Sequence, residues 1–273
     1  LDFLQSTCEI MFKFTEFVMF FAPIGVFGAI SATVGHNGTG ILASYAKLIG
    51  VTYLALITFV IIVLALVCRI IKVPFTGLIK ALKEPALLAF TTATSEAALP
   101  KAMDVMEKFG VPKNIVSFVM PTGYTFNLDG STLYLALTTL FCAQIAGIHL
   151  PLEQQILIML TLMLTSKGIA GVPRVSLVVL TGTLSSFGLP IVGVAILLGI
   201  DQILDMGRTT VNLVGNCVAT TVVARWEDAF DYEKMEKYIS SGKKAIRKNG
   251  TEIPHVVTQE TAKASEHKEI QRV

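Results

Sequence analysis

Five polar side chains recur at helical spacing in an otherwise apolar stretch: Asp201, Asp205, Arg208, Asn212 and Asn216. Steps of four, three, four and four residues place all five on one stripe of an α-helix, while Ile, Leu, Val and Ala fill the opposite face for lipid or packed helices. An ionised side chain at the centre of a bilayer costs about 2.5–3.5 kcal/mol even on a mild insertion scale. Two carboxylates and a guanidinium on one face therefore call for partners, water or a ligand. A salt-bridge stripe that only holds helices together is the plainer alternative, but two acids and one base leave a charge over. A second stretch of this kind is PTGYTFNLDGST, 121–132. Gly123, Asn127, Asp129 and Gly130 are poor helix residues, so a helix through them is expected to unwind. An unwound turn exposes carbonyls and Asp129 adds a carboxylate, the oxygen ligands that hard cations take. The alternative is a glycine kink with Asp129 capping the following half-helix at Gly130 and Ser131.

The elements that must carry these groups are apolar. Of 273 residues, 53% are hydrophobic and only 15% charged, which leaves too little polar surface for a soluble domain and predicts an all-α polytopic membrane protein. A net charge of +2 does not point to nucleic acid. Cys8, Cys68, Cys142 and Cys217 are far apart, with no CxxC pair, and read as small core residues. No His pair or Glu-x-x-His is placed to hold a catalytic metal. The chain shows no initiator Met and no charged leader, and it reads as beginning partway through a longer protein.

In chain order, 10–32 is expected to be a span kinked at Pro23, followed by a polar connector at His36, Asn37, Gly38 and Gly40. A second span covers 48–67, and the basic residues Arg69, Lys72, Lys80 and Lys83 mark its end as cytoplasmic. Residues 76–109 are too polar for one span. They are split at 89–100 by AFTTATSEAALP and predict two short helices in a re-entrant hairpin, or else an amphipathic surface pair. Segments 152–165 and 175–187 are again two short apolar halves around TSKGIAGVPR. Both tips read Thr-Ser, small residues, then Pro: Thr94-Ser95 with Pro100, and Thr165-Ser166 with Pro173. Each is followed by a long polar-bearing segment. Paired interrupted segments of this kind point to an inverted-repeat transporter with its site at the midplane. The expected organisation is two helices in 1–73, a transport core in 74–225 (hairpin 74–110, interrupted helix 111–147, hairpin 152–188, polar helix 191–225), and a tail in 226–273. The tail is rich in Lys and Glu, is expected to be partly helical or disordered, and is cytoplasmic by its basic stretch 243–248. Asn37 and Asn249 match the glycosylation sequon, a weak signal.

TTATSEAALP, NLDGSTLY, TSKGIAGVP and DQILDMGRTTVNLVGN together resemble the glutamate transporter family, the dicarboxylate/amino acid:cation symporters, in its bacterial branch. The resemblance covers about 11–225. It implies eight transmembrane helices and two hairpins, of which the first four helices would be missing here, a homotrimer, and an elevator motion of the core in the cell membrane. By resemblance, Arg208 binds the substrate side-chain carboxylate through its planar fork. Asp205 accepts the ammonium, with Thr209 beside it. Asn212 meets the α-carboxylate, helped by backbone N–H groups of the first tip around Ser95. Ser131 matches a Thr near the side-chain carboxylate. The second tip, from Ser166 to Gly171, is the gate over the substrate. Cation ligands are the carbonyls of Gly123, Thr125, Asn127, Ser166, Lys167 and Ile169, the Asp129 carboxylate, and Asn212 and Asn216. No enzyme cofactor is implied; Na+ and/or H+ are co-transported.

The chain departs from that pattern. Asn216 stands where sodium-driven members carry an Asp, which predicts a weaker or absent sodium site. Leu135 stands where proton-coupled mammalian members carry a Glu, leaving Asp205 and Glu96 as proton candidates. Ala93 replaces an Arg of archaeal relatives, and Arg174 after the second tip is either its substitute or a solvated charge. The expected function is symport of acidic amino acids, L-glutamate or L-aspartate, with protons and/or sodium. A C4-dicarboxylate carrier is the alternative: a dianion has no ammonium for Asp205 and would repel it unless Asp205 were protonated. An intramembrane aspartyl protease would need two carboxylates facing across one proton, whereas Asp201 and Asp205 share a helix. An ion channel would not explain the Arg/Asp pairing.

Overall fold

The computed structural model describes residues 20–167 and 175–248, together with Ile10, Lys13, Phe14 and Phe17. Every regular element among these residues is a helix. Helix α1 (Ala22–Asn37) has Pro23 in its first turn, where the missing N–H breaks no bond. Pro23 thus opens a helix after a turn at Phe21, and Phe20 before that turn is helical, so the expected span is interrupted beside Pro23. The polar connector shrinks to Gly38, at φ 72°, and Thr39.

Helix α2 runs from Gly40 to Ile70, 31 residues, with a π-helical stretch at Phe59–Leu64. At about 1.5 Å per residue it is about 46 Å long, more than the roughly 30 Å of a bilayer's hydrocarbon core. Tyr45, Leu48, Thr52, Leu56 and Leu64 face inward at helical spacing, and Leu54, Ile57, Ile61 and Leu66 face out.

Short helices follow: α3 (Phe75–Ala81), α4 (Lys83–Thr92) and α5 (Ser95–Lys108). Helices α4 and α5 pack on each other around a turn at Ala93 and Thr94, with Ala93 at φ 51°. The turn is narrower than the expected break over 89–100. Pro100 lies inside α5, where it removes one backbone bond without ending the helix. Helix α6 (Lys113–Phe126) and α7 (Asp129–Ile145) meet at a break of two residues, Asn127 and Leu128. This corrects the wider unwinding expected at 121–132: Gly123 stays helical and Gly130 is back in helix. Helices α8 (Leu152–Thr165) and α9 (Val175–Ser186) agree with their expected spans to within a residue. The polar helix expected at 191–225 is two elements, α10 (Val192–Leu197) and α11 (Asp201–Trp226).

Helix α11 is the spine, packed against α2, α4, α5, α6 and α7. Its ends belong to two separate apolar cores. Leu213, Val214, Cys217 and Val218 join Ala98, Met106, Phe109 and Met120. Ile200 and Leu204 join Tyr134, Leu135, Leu162 and Leu180. The polar stripe runs between them.

The segment after Trp226 does not stay away from the core. Helix α12 (Tyr232–Lys248) follows it, with Phe230 and Met235 buried. Phe109 meets the rings of Phe230 and Tyr238. The Asp231 N–H donates to the Gly110 carbonyl at 2.9 Å, and Arg225 Nε donates to the Ile71 carbonyl at 3.1 Å. Overall Lys/Glu composition hid a few apolar residues that suffice to dock a helix. The rest of the tail, 249–273, lies outside the described residues.

Candidate functional site

Asp201, Asp205, Arg208, Asn212 and Asn216 are all buried, in one line along α11. Asp205 Oδ1 accepts from Arg208 Nε at 2.8 Å and from Thr209 Oγ1 at 3.1 Å. Arg208 Nη1 lies 3.9 Å from Asp201 Oδ1 and makes no hydrogen bond among the described residues. Asp201 Oδ1 accepts from the Tyr134 hydroxyl at 2.7 Å, and the guanidinium carbon lies 4.3 Å from the Tyr134 ring centre. The guanidinium is thus set between two carboxylates and an aromatic face, a placement that suits Arg better than Lys. One hydrogen bond, through Nε, and an Nη1 without a partner among the described residues leave donor capacity in its fork.

One turn further on, Asn212 closes the break between α6 and α7. Its Oδ1 accepts the N–H groups of Gly130 at 2.8 Å and Ser131 at 3.2 Å, and its Nδ2 donates to Ser131 Oγ at 2.9 Å. These N–H groups belong to the first turn of α7, which has no carbonyl of its own helix to bond. Asn212 thus caps α7 from another helix. Its amide oxygen is occupied, and one N–H is left for a ligand.

Three glycines permit this approach. A Cβ at Gly130 would strike the Arg208 backbone, at Gly123 the Asn216 amide oxygen, and at Gly215 an Asp129 carboxylate oxygen. Gly123 and Gly130 are therefore close-packing positions rather than unwinding ones. Asn216 Nδ2 donates to the Met120 carbonyl at 2.7 Å, and its buried Oδ1, facing Gly123, has no hydrogen-bond partner among the described residues. Asp129 and Asn127 both aim at α11 near Gly215. The Gly123 carbonyl accepts the Asn127 N–H at 2.7 Å, so it is engaged in the helix.

Parts of both tips lie among the described residues. Ser95 is buried at the start of α5, whose N-terminus has no side-chain cap. Ser166 is buried at the end of α8, 3.1 Å from Thr132 Oγ1, and Lys167 Nζ donates to the Phe126 carbonyl at 2.8 Å. Thr125, beside that carbonyl, is half-buried. Ile169, Gly171 and Arg174 lie outside the described residues. Leu135 is fully buried in apolar surroundings. Tyr134 and Thr132 were not singled out as site residues. The signal for Tyr134 was a phenol inside an apolar helix, five residues after Asp129.

Buried ions on a central helix, an interrupted helix capped by it and paired short helices beside it make an all-helical arrangement of the described residues. The chain belongs to the sodium:dicarboxylate symporter family, which residues 1–226 match. It is 50% identical over 240 residues to the proton/sodium-glutamate symport protein of Geobacillus stearothermophilus, covering 88% of this chain and 57% of that one. It is 49% identical over 234 residues to the proton/glutamate-aspartate symporter of Escherichia coli (strain K12), covering 86% and 54%. It is 40% identical over 245 residues to the C4-dicarboxylate transport protein of Bacillus subtilis (strain 168), covering 89% and 58%. The chain thus spans just over half the length of these curated relatives.

Proposed function

We propose that the chain is the substrate- and cation-binding core of a symporter for acidic amino acids, L-glutamate or L-aspartate, coupled to protons, sodium or both. The observation that carries this reading is the Arg208–Asp205 pair, buried on α11 with donor capacity left in the guanidinium. A substrate carboxylate takes the guanidinium while the substrate ammonium takes Asp205, so one ion pair is exchanged for two. Asn212 offers its remaining N–H to the α-carboxylate, and the uncapped start of α5 at Ser95 offers backbone N–H groups. Thr209, Ser131 and the second tip, including Gly171, complete the substrate site. Asp129, Asn127 and Asn216, with carbonyls of Gly123, Thr125, Ser166, Lys167 and Ile169, form the cation sites, Asn212 adding to them once its oxygen is released. This is binding and translocation, not catalysis.

The membrane organisation follows from lengths. Helices α4, α5, α8 and α9 have 10, 14, 14 and 12 residues, about 15–21 Å, short of the roughly 30 Å hydrocarbon core. In a bilayer each pair enters and returns on the same side, as two re-entrant hairpins, with the gate at the second tip and the tail cytoplasmic. The whole protein is a multi-pass homotrimer in the cell membrane whose core, 74–225, moves as an elevator against a scaffold.

The second reading is C4-dicarboxylate transport, favoured by the name of the Bacillus subtilis relative. Asp205 discriminates, because a dianion gives it no ammonium. The test is labelled L-glutamate uptake by the full-length protein in proteoliposomes, under a sodium gradient and then a proton gradient alone. Uptake under either supports the reading. Succinate uptake without glutamate uptake overturns it.

A further inference from the structure

The break between α6 and α7 already holds a cation. Helix α6 ends at Phe126, and the carbonyls of its last turn, Tyr124, Thr125 and Phe126, lie beyond the reach of its own hydrogen-bond ladder. This is the negative end of the helix dipole, and Asp129 adds a carboxylate three residues later. Between Lys113, at the far end of α6, and Lys167 the sequence has no Lys or Arg. The Lys167 ammonium nonetheless reaches this end and donates to the Phe126 carbonyl at 2.8 Å. Its backbone is fixed there, because the neighbouring Ser166 is buried and 3.1 Å from Thr132 Oγ1 on α7. The end of α8 is thus strapped across the break by two side-chain contacts, one of them a monovalent cation on a carbonyl oxygen.

We propose that Lys167 acts as a tethered monovalent cation: its ammonium occupies the carbonyl end of α6, and dissolved sodium must displace it to bind there. The proposal rests on the cation-coupled reading above and adds a specificity-determining side chain to it. An ammonium and a sodium ion carry the same charge and both take carbonyl oxygens, so occupancy by one excludes the other. The ammonium is part of the chain, so its local concentration does not fall when external sodium falls. Lys167 therefore raises the sodium concentration needed to fill the break. It also links that event to the second tip, because the side chain that leaves belongs to the first residues of the tip.

The test measures sodium-dependent thermal stabilisation of the full-length protein in detergent, with choline chloride holding ionic strength constant. Lys167→Met should shift the half-maximal sodium concentration down by roughly ten-fold, the scale of one charge-assisted hydrogen bond. Lys167→Arg should stay within about two-fold of the parent, because it keeps a charged donor. A third arm keeps the result readable if Lys167→Met folds poorly. Lys167→Cys in a Cys8→Ser background is labelled after purification, Cys68, Cys142 and Cys217 being buried. An aminoethyl label should restore the parent midpoint and a methyl label should not. A midpoint common to the parent, Lys167→Met and both labelled forms overturns the proposal. That failure is distinct from failure of the functional reading, which would show as no glutamate uptake by the parent under either cation gradient.

Discussion

Replacing Asn212 with Ala would remove the cap that α11 places on α7. Two N–H groups, of the buried residues Gly130 and Ser131, lose their acceptor, and Ser131 Oγ loses a donor. Each buried donor left unpaired costs about 1–3 kcal/mol, which puts the loss at about 2–6 kcal/mol. Loss of an ordinary exposed cap, about 0.5–2 kcal/mol, sets the floor. Asn212→Leu separates the cap from side-chain volume, because it fills the space and has no acceptor. Its cost should match that of Ala, about 2–6 kcal/mol. Equilibrium denaturation of the detergent-solubilised full-length protein, followed by circular dichroism, measures both. An Ala variant within about 0.5 kcal/mol of the parent, or a Leu variant as stable as the parent, would refute the reasoning.

Arg208→Ala leaves Asp201 and Asp205 without their guanidinium and should destabilise by about 3–5 kcal/mol, the cost of breaking a buried pair. Isothermal titration should show glutamate binding lost in any Arg208 variant that folds; retained binding would sink the substrate assignment. Asp205→Asn should weaken glutamate binding by at least about ten-fold through loss of the ammonium contact, read in the same titration. Gly123→Ala drives a methyl group onto the Asn216 amide and should cost about 1–3 kcal/mol in the denaturation assay. Lys101→Ala breaks only the exposed pair with Glu84, at 2.7 Å, and should change stability by no more than about 1 kcal/mol.

The polar stripe on α11 was legible because helical periodicity is a strong signal and ions are rare in apolar sequence. The break near Asn127 was legible in place but not in width. Weak helix propensity at Gly123 and Gly130 suggested unwinding, yet both residues stay helical and let α11 approach, a tertiary reason that no local rule contains. Pro23 and Pro100 were read as interruptions. One opens a helix and the other lies within one. Tyr134 was hidden because a phenol in a run of Leu and Ala looks like packing until Asp201 and Arg208 are brought to it by the fold. The docking of α12 was hidden by composition: a charged segment conceals Phe230, Met235 and Tyr238 when averaged, though they lie at spacings that one side of a chain can bury.

The contact of Asp231 with Gly110 also sets an order of assembly. Gly110 has φ 109°, and a Cβ there would strike the Asp231 carbonyl, so the two backbones lie in direct contact. The base of α5 emerges from the ribosome about 120 residues before its partner, on the order of 10 s at about 5–20 residues per second. Until then Phe109 has neither Phe230 nor Tyr238 to cover it. The α4–α5 pair must therefore wait, partly uncovered, until the segment after Trp226 is made. A nonsense change shortly after Trp226 would leave every side chain of the polar stripe encoded, and yet release a chain in which Phe109 is never covered by Phe230 and Tyr238.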